Sequence, residues 1–381
     1  MQSRSVPSVT RLTLSNFRNY ESLRLDIGEP FVALSGPNGA GKTNLIEAVS
    51  LLAPGRGLRG VLFEELARKE APAQWAVAAT VTGPAGPIDL GTQWTQNGEA
   101  GGIGREISIE RHRERGTSAL ARHIRVIWLT PAMDRLFAGP AAERRRFLDR
   151  LAAGHDPEHG ARIAVYEKLM RERNLLNEEP RPDQGWLSGL EAQMAEAGTA
   201  IAAARLAAAS VLQKEVEHLL RKSAFPWSEI RLQGDIEDLL GSMPALKAED
   251  EFRRMLQDGR QEDRAAGRTL KGPHRSDVLV THGPKAMEAA SCSTGEQKAL
   301  LIGMILAQAA AVFKISGLAP ILLLDEVAAH LDEKRRHGLY ATLGKLAGQA
   351  WLTGTDRSLF DGLGKTCEFL HVEGGKVTKT Q

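Results

Sequence analysis

Cysteine is scarce in this chain of 381 residues, which contains Cys292 and Cys367 far apart from each other. This scarcity excludes a disulfide framework and a zinc site built from thiolates, and it is typical of a reducing cytosol. Residues 1–14 lack the apolar run that would predict a secretory signal. The longest apolar stretch, residues 303–324, includes polar side chains and Pro320 and is a poor membrane span. We therefore expect a cytoplasmic protein with no membrane partner.

Net charge and aromatic content are also low. The 49 Lys and Arg residues against 47 Asp and Glu residues leave a formal charge of +2. This balance excludes a basic field over the whole chain, so contact with nucleic acid would need local patches. Aromatic residues make up 5% of the chain, which argues against base stacking as the main mode of binding. Apolar residues, at 42%, are sufficient for a folded core.

The hydrophobic pattern divides the chain into strand-rich ends and a helical centre. Strand patterns dominate the first 110 residues, apart from helical spacing at residues 44–52, and they return after Pro273. Residues 141–222 instead have apolar residues at three- and four-residue spacing. We predict an α/β domain made of residues 1–127 and 271–381. Residues 128–270 are predicted to form an inserted, mainly α-helical lobe.

A phosphate-binding loop is the strongest motif in the sequence. Residues 36–43 match G-x-x-x-x-G-K-[ST] at every fixed position and follow an apolar strand pattern. In such a loop the backbone N–H groups and the lysine hold phosphates, while the threonine hydroxyl ligates Mg²⁺. We therefore expect ATP and Mg²⁺ as ligands. The predicted nucleotide-binding residues are Gly36, Pro37, Asn38, Gly39, Ala40, Gly41, Lys42, Thr43, Asn44 and Arg18.

A second motif, at residues 321–326, is an apolar run that ends in Asp325-Glu326, which is a Walker B pattern. We predict that Asp325 and Thr43 hold the metal and that Glu326 polarises the attacking water as general base. The predicted catalytic residues are therefore Glu326, Lys42 and Asp325. A core strand with a solvated acidic end is the alternative, and the accompanying phosphate-binding loop argues against it.

A third motif comes just before the apolar helix pattern of residues 299–312. Ser293, Thr294, Gly295 and Glu296 resemble the signature motif of ABC-type ATPases. A serine together with the N–H groups of a helix N-terminus can bind an anion. An ordinary helix cap is the alternative, and the position upstream of the Walker B strand favours the signature.

Three further elements of such ATPases are less well defined. Leu331 and Asp332 resemble the D-loop, and either Thr355 or Asp356 stands where these ATPases place a switch histidine. Gln74 and Gln93 are both candidates for the Q-loop glutamine, and the sequence does not decide between them.

Several boxes resemble the RecF family, a branch of the SMC-like ATPases. They follow one another in the family's order from Val9 to Asp356, which is nearly the whole chain. In one of them, the family's Gly-Pro-His-Arg-Asp-Asp, Ser276 replaces an aspartate. The boxes are residues 12–20 (LTLSNFRNY), 55–59 (GRGLR), 128–131 (WLTP), 139–149 (GPAAERRRFLD) and 271–277 (KGPHRSD).

The resemblance implies an ABC/SMC-type P-loop ATPase head with a helical second lobe. It implies a homodimer that sandwiches two ATP molecules, in which the signature residues face the partner's ATP. It also implies slow, DNA-stimulated ATP hydrolysis that serves as a clamp switch. The implied DNA targets are gaps and single-/double-strand junctions, where the protein acts with RecR and RecO to help load RecA. Repair, replication and the SOS response are the implied processes.

Candidate DNA contacts lie in two basic stretches. Residues 104–125 have a local charge of +3 and residues 252–285 a charge of +4. Such stretches could neutralise phosphates, but a solvated face with internal ion pairs is an equally good interpretation. Arg144, Arg145 and Arg146 are predicted to be structural or interfacial within the lobe.

Other classes of ATPase fit the sequence less well. About 250 residues separate the phosphate-binding loop from the signature, which argues against a transporter subunit. The helical patterns are too short for an SMC-type tether. A nucleotide switch that acts on protein partners alone remains the alternative, because its ATP site would look the same.

Overall fold

The computed structural model describes residues 7–69, 71–83, 85–96, 104–346 and 348–380. The chain forms two compact units. Residues 1–134, 222–225 and 305–381 form the first, here called the head unit. Residues 135–221 and 226–304 form the second, here called the helical unit. This division differs from the predicted one mainly at residues 271–304, which pack with the helical unit.

The strands, in chain order, are β1 (Ser8–Phe17), β2 (Tyr20–Asp26), β3 (Phe31–Ser35), β4 (Gln74–Gly83), β5 (Gly86–Thr95), β6 (Arg105–Ile109), β7 (His112–Glu114), β8 (Val126–Leu129), β9 (Ser228–Gln233), β10 (Asp277–His282), β11 (Met287–Glu288), β12 (Ile321–Leu324), β13 (Gln349–Gly354), β14 (Cys367–Glu373) and β15 (Lys376–Thr380). The helices are α1 (Lys42–Ser50), α2 (Ala141–His155), α3 (His159–Glu178), α4 (Gln184–Leu220), α5 (Asp235–Ser242), α6 (Ala245–Asp258), α7 (Arg260–Ala266), α8 (Thr294–Ser316) and α9 (Glu333–Leu346).

The head unit contains two six-stranded sheets. The first is antiparallel, in the order β2-β1-β4-β5-β6-β7, and the second is mixed, in the order β15-β14-β3-β13-β12-β8. In the mixed sheet β13 pairs in parallel with both β3 and β12. The carboxyl ends of β3 and β12 therefore lie at the same edge of the sheet, one strand apart. This topology places the phosphate-binding loop beside the Walker B residues.

The core of the head unit explains why β3 and β12 are uninterrupted apolar runs. All five residues of β3 and all four of β12 are buried, as is usual when both faces of a parallel sheet are covered. The antiparallel sheet adds Phe17 and Trp75, whose rings meet edge to face at 5.8 Å. Helix α1 joins this core through Leu45 and Ile46, which are fully buried.

The helical unit is organised around α4, a single helix of 37 residues. Tyr166 of α3, Met194 of α4 and Phe252 of α6 are buried in one apolar cluster. A three-stranded sheet in the order β11-β10-β9 completes the unit. Antiparallel pairing with β9, which lies within the helical unit, joins residues 277–282 of β10 to this unit, and residues 271–304 are grouped with it as a whole.

Helices α4 and α8 are long and apolar enough to cross a membrane by length and composition alone. In α4 56% of the apolar window is buried inside the protein, and in α8 the share is 78%. Core helices of globular proteins pass the same test, so these two helices are weak evidence for a membrane span.

Candidate nucleotide site and signature

The loop between β3 and α1 requires glycine at two positions. Gly36 has φ 144°, and a Cβ there would lie 2.2 Å from the carbonyl oxygen of Val372. Gly41 has φ 111°, and a Cβ there would lie 2.5 Å from Asn19 Nδ2. These left-handed conformations and close approaches exclude other side chains. The backbone is thereby curled in the way a phosphate cradle requires.

Lys42 is held inside this loop. Its Nζ donates to the carbonyl oxygens of Gly36 at 2.6 Å and Pro37 at 2.8 Å. Burial lowers the pKa of Lys42, while the carboxylates of Glu326 and Asp325 oppose that shift. The ammonium group is therefore fixed at the loop and lies in the field of both Walker B acids.

The hydroxyl of Thr43 connects the loop to the Walker B strand. It lies 3.0 and 3.1 Å from the two carboxylate oxygens of Asp325, although 282 residues separate them in sequence. Mg²⁺ is commonly held by one or two protein oxygens, with phosphates and waters completing its shell. This hydroxyl and carboxylate fit that requirement. The described part of the chain has no cluster of three or more His, Cys, Asp or Glu side chains that would suggest a different metal site.

Thr353, at the end of β13, is a site residue that the sequence motifs do not reveal. Its hydroxyl donates to Asp325 Oδ1 at 2.7 Å and accepts from the N–H of Glu326 at 2.9 Å. The side chain is fully buried. Glu326 itself has φ 55°, an uncommon conformation for a residue with a side chain. Thr353 thus holds both Walker B acids in place.

Asn19, in the turn between β1 and β2, and Tyr20, the first residue of β2, hydrogen-bond to the backbone of the phosphate-binding loop. The Tyr20 hydroxyl donates to the Gly41 carbonyl at 3.1 Å, and Asn19 Nδ2 donates to the Ala40 carbonyl at 3.3 Å. Asn44 Nδ2 donates to Asn19 Oδ1 at 2.7 Å. Asn19 and Tyr20 belong to the box at residues 12–20, and this was the available sequence signal for them.

Arg18 is bound to helix α1 by hydrogen bonds to the buried carboxylate of Glu47. Its Nε and a terminal nitrogen donate to the two oxygens of Glu47 at 2.8 and 2.9 Å. Arg59 donates to the same carboxylate at 2.7 Å and to Asn44 Oδ1 at 2.9 Å. Glu47 is 1% exposed, so two arginines share one buried negative charge. One positive charge is left over beside the helix that follows the loop.

Arg105 is fixed within the head unit and is not free for DNA. Its guanidinium donates to the carbonyls of Gly55 at 2.6 Å, Ala53 at 3.2 Å and Leu51, and to the Thr92 hydroxyl at 2.7 Å. Burial lowers its pKa to about 10. A cation after the last turn of α1 interacts favourably with the helix dipole. Arg105 therefore fastens the segment that leads from α1 to Arg59.

The signature residues lie at the start of α8. Ser293, Thr294 and Gly295 are exposed. Glu296 accepts from the N–H of Ser293 at 3.0 Å and forms an ion pair with Lys285. Lys285 is the largest cause of a pKa of about 2 for Glu296, and the Ser293 N–H adds to it. The Glu296 carboxylate thus caps the start of α8, in line with the alternative interpretation, and Ser293 is nevertheless an exposed residue.

The predicted D-loop and switch residues have unequal surroundings. Leu331 is buried, and Asp332 Oδ1 accepts from the N–H of Arg335 at 2.8 Å at the start of α9. Thr355 is exposed, and the Asp356 carboxylate accepts from the N–H of Ser358 at 2.8 Å. The hydroxyl that reaches the Walker B acids belongs to Thr353. The switch assignment to Thr355 or Asp356 stays a prediction.

The two candidate Q-loop glutamines lie in the antiparallel sheet. Gln74 begins β4, and Gln93 of β5 donates to Glu106 Oε2 at 3.0 Å. Within the described ranges, neither side chain forms a hydrogen bond with residues 36–43 or with Asp325 and Glu326. Both alternatives therefore remain.

Comparisons with known proteins agree with this geometry. Residues 11–58 match the model of a family described as AAA domain. Over 373 residues the chain is 50% identical to DNA replication and repair protein RecF of Mesorhizobium japonicum, covering 98% of each chain. The corresponding protein of Rhizobium meliloti is 48% identical over 372 residues, covering 97% of this chain and 98% of that one.

Solved structures give the same fold. A structure of the recombination mediator protein RecF-ATP in the RecFOR pathway has a TM-score of 0.87 at 22% identity, covering 100% of this chain and 99% of that chain. An Smc head bound to the C-winged helix domain of ScpA has a TM-score of 0.56 at 13% identity, covering 98% and 97%.

The fold and the site define the class of α/β P-loop ATPase heads of the ABC/SMC type, which confirms the predicted fold class. Within that class the head is accompanied here by a mainly helical unit. The chain belongs to the RecF family of DNA replication and repair proteins.

Proposed function

We propose that this chain is an ATP-dependent DNA-binding protein of recombinational repair and replication. It binds gapped and junction DNA in the cytoplasm as a homodimer that sandwiches two ATP molecules. It hydrolyses ATP slowly, with stimulation by DNA, and it helps RecR and RecO to load RecA. Membership in a DNA replication and repair family supports this proposal.

The observation that carries the proposal is the arrangement of Lys42, Thr43 and Asp325. Lys42 is positioned by two loop carbonyls, and Thr43 lies within hydrogen-bond distance of Asp325. With ATP bound, Lys42 contacts the β- and γ-phosphates, and the loop N–H groups hold the phosphate oxygens. Thr43 and Asp325 would hold Mg²⁺, which would neutralise charge on the phosphates. The relative solved with ATP supports this ligand.

Glu326 acts as the general base in this proposal. Its backbone is fixed by Thr353, and its side chain is half-buried beside Asp325. A carboxylate there can accept a proton from water as the water attacks the γ-phosphate.

The signature explains how ATP would drive pairing of two chains. Ser293, Thr294 and Gly295 are exposed at the N-terminus of a 23-residue helix. Helix N-termini and serine hydroxyls bind phosphate, so this surface suits the γ-phosphate of a partner's ATP. These contacts exist only in the closed dimer, so bound ATP favours that dimer over separate chains. Hydrolysis removes the contacts and with them the preference for the dimer.

Binding to gapped duplex DNA tests the proposal directly. Affinity is measured with and without ATP by fluorescence anisotropy over a salt series. We expect ATP to strengthen binding and salt to weaken it. Absence of any ATP-dependent binding to DNA would instead favour the alternative, a nucleotide switch that acts on protein partners alone.

Dimer formation is tested separately with Ser293→Arg. The added side chain blocks the phosphate-facing surface, so light scattering should show ATP-bound monomers. Ser242→Arg places the same change at another exposed serine of the helical unit and should dimerise normally. Equal dimer fractions in the two variants would contradict the trans-signature arrangement.

A further inference from the structure

A short segment before β10 combines exposed cations with a complete lack of acids. Residues 267–275 include Arg268, Lys271 and Arg275 and no Asp or Glu. All three cationic side chains are exposed. Among the residues that the structure describes, none of the three has an ion-pair partner. We call residues 268–275 the cationic turn.

The neighbouring cations of the same basic stretch are already used inside the helical unit. Residues 252–285 contain eight Lys and Arg residues. Five of them are engaged by acceptors of the protein, and the three that remain are those of the cationic turn. The five are Arg253 with Asp250, Arg254 with Glu251, Arg260 with Glu191, Arg264 with the Glu179 carbonyl, and Lys285 with Glu296. Within this stretch, the cations that have no protein acceptor and can bind a ligand are therefore those of the turn.

The turn is held in place by hydrogen bonds, one within the turn and two to Tyr166 and Arg205 of the helical unit. Gly272 has φ 134°, and a Cβ there would lie 2.4 Å from the Tyr166 hydroxyl. His274 bonds to that hydroxyl at 3.0 Å and to the Thr269 carbonyl at 3.0 Å. The Pro273 carbonyl accepts from Arg205 at 2.5 Å. Exposed side chains on such a fixed backbone lose less entropy on binding than those of a mobile loop.

Two carboxylates close to the turn are already paired with arginines outside it. Asp277 receives two hydrogen bonds from Arg144, at 2.7 and 2.8 Å. Asp149 likewise receives two from Arg205, at 2.7 and 2.9 Å. Arg145 donates to a neutral acceptor, the Ser276 carbonyl, at 2.6 Å. Burial lowers the pKa of Arg145, and among the nearby charges Arg205 and Arg275 lower it while Asp149 and Asp277 raise it.

We propose that Arg268, Lys271 and Arg275 contact the phosphate backbone of DNA. This inference rests on the proposed function and assigns part of its DNA-contacting surface. Cations that contact phosphates position a protein on DNA, but they do not read its sequence. The turn contains no Phe, Tyr or Trp, so the contact is made with phosphates and not by base stacking.

The test compares salt dependence of DNA binding in matched double variants. Lys271→Gln/Arg275→Gln removes two cations of the turn, and Arg253→Gln/Arg254→Gln removes two that are paired on α6. Each lost phosphate contact should reduce the slope of log affinity against log salt by about 0.9. The turn variant should therefore lose about 1.8 units of slope for each bound chain, or about 3.6 units for the dimer of the proposed function, and the α6 variant should keep the wild-type slope.

The same numbers give the change in affinity. A fourfold rise in salt weakens each phosphate contact about 3.5-fold, so the deficit of the turn variant should shrink about 12-fold for each bound chain between 50 and 200 mM salt, or about 150-fold for the dimer. Arg275→Lys keeps the charge and should restore most of the slope relative to Arg275→Gln. Thermal unfolding should show that all variants remain folded.

The outcomes separate this inference from the proposed function. If the wild type binds DNA with ATP and the turn variant has the same slope and affinity, the assignment of the turn is wrong and the proposed function stands. If the wild type binds no DNA in the presence of ATP, both are wrong.

Discussion

Thr353→Val removes one buried hydroxyl and keeps the shape of the side chain. In the wild type that hydroxyl donates to Asp325 at 2.7 Å and accepts from the Glu326 N–H at 2.9 Å. The variant therefore leaves a carboxylate with one donor fewer and a backbone N–H without its acceptor. Both groups belong to the Walker B pair, so stability and turnover should change together.

The size of the effect follows from these two bonds. A hydrogen bond to a charged group contributes about 1.5–3 kcal/mol, and an N–H left without an acceptor costs about 1 kcal/mol or more. The free energy of unfolding should fall by about 3 kcal/mol. For a unit of roughly 200 residues this lowers the thermal midpoint by about 6–12 °C. Because Glu326 loses the bond that fixes its left-handed backbone, ATP turnover should fall about tenfold or more.

The assay is thermal unfolding of the nucleotide-free protein, followed by steady-state ATP turnover with DNA. Thr378→Val is the matched control, since it makes the same change at an exposed position of β15, outside the nucleotide site. Such a surface change should alter stability by less than about 0.5 kcal/mol. If Thr353→Val and Thr378→Val gave the same midpoint and turnover, the role assigned to Thr353 would be refuted.

Three further substitutions test other parts of the head unit. Lys42→Ala should abolish ATP binding in a nucleotide titration, and normal affinity would contradict the phosphate-binding loop. Glu326→Gln should bind ATP, slow hydrolysis and prolong the dimer seen by light scattering, whereas unchanged turnover would remove its role as base. Arg105→Met should lower stability by about 2–4 kcal/mol in thermal unfolding, because three carbonyls and the Thr92 hydroxyl lose their donor. Arg113→Met is its control, since that arginine forms an exposed ion pair worth less than about 1 kcal/mol.

The sequence was sufficient to predict the motifs that lie at strand ends. A buried apolar run followed by a glycine-rich loop predicts β3 and the phosphate cradle, and a second run followed by two acids predicts β12. Parallel pairing through β13 then brings Thr43 and Asp325 together across 282 residues. Local composition was informative here because each motif is formed by consecutive residues.

Residues that support those motifs could not be predicted, because their roles depend on distant pairing. Nothing around Thr353 in the sequence indicates that its hydroxyl meets residues 325 and 326. Arg105 resembled a member of a basic DNA patch, yet β6 carries it to the end of α1, some 50 residues away in sequence. A cation's neighbours in sequence therefore do not decide whether it is free for a ligand.

The grouping of residues 271–304 with one unit or the other also depends on pairing between distant segments. Their strand pattern resembles that of the chain ends, so the sequence assigned them to the ATPase domain. Pairing of β10 with β9 instead joins them to the helical unit. A strand pattern indicates that a segment joins a sheet, but it does not indicate which sheet.

The low net charge of +2 acquires a physical meaning once the arginines are assigned. Arg105, Arg144, Arg173 and Arg205 are all bound to carboxylates or carbonyls of the protein itself. If the three cations of the turn are the main phosphate contacts, one chain would have a salt slope of only about 2.7, and a symmetric pair about 5.4. A single chain would then bind DNA weakly, while pairing places a second set of contacts on the same molecule and multiplies the affinities. Dependence of DNA binding on ATP would thus follow from the charge distribution, because ATP controls the pairing.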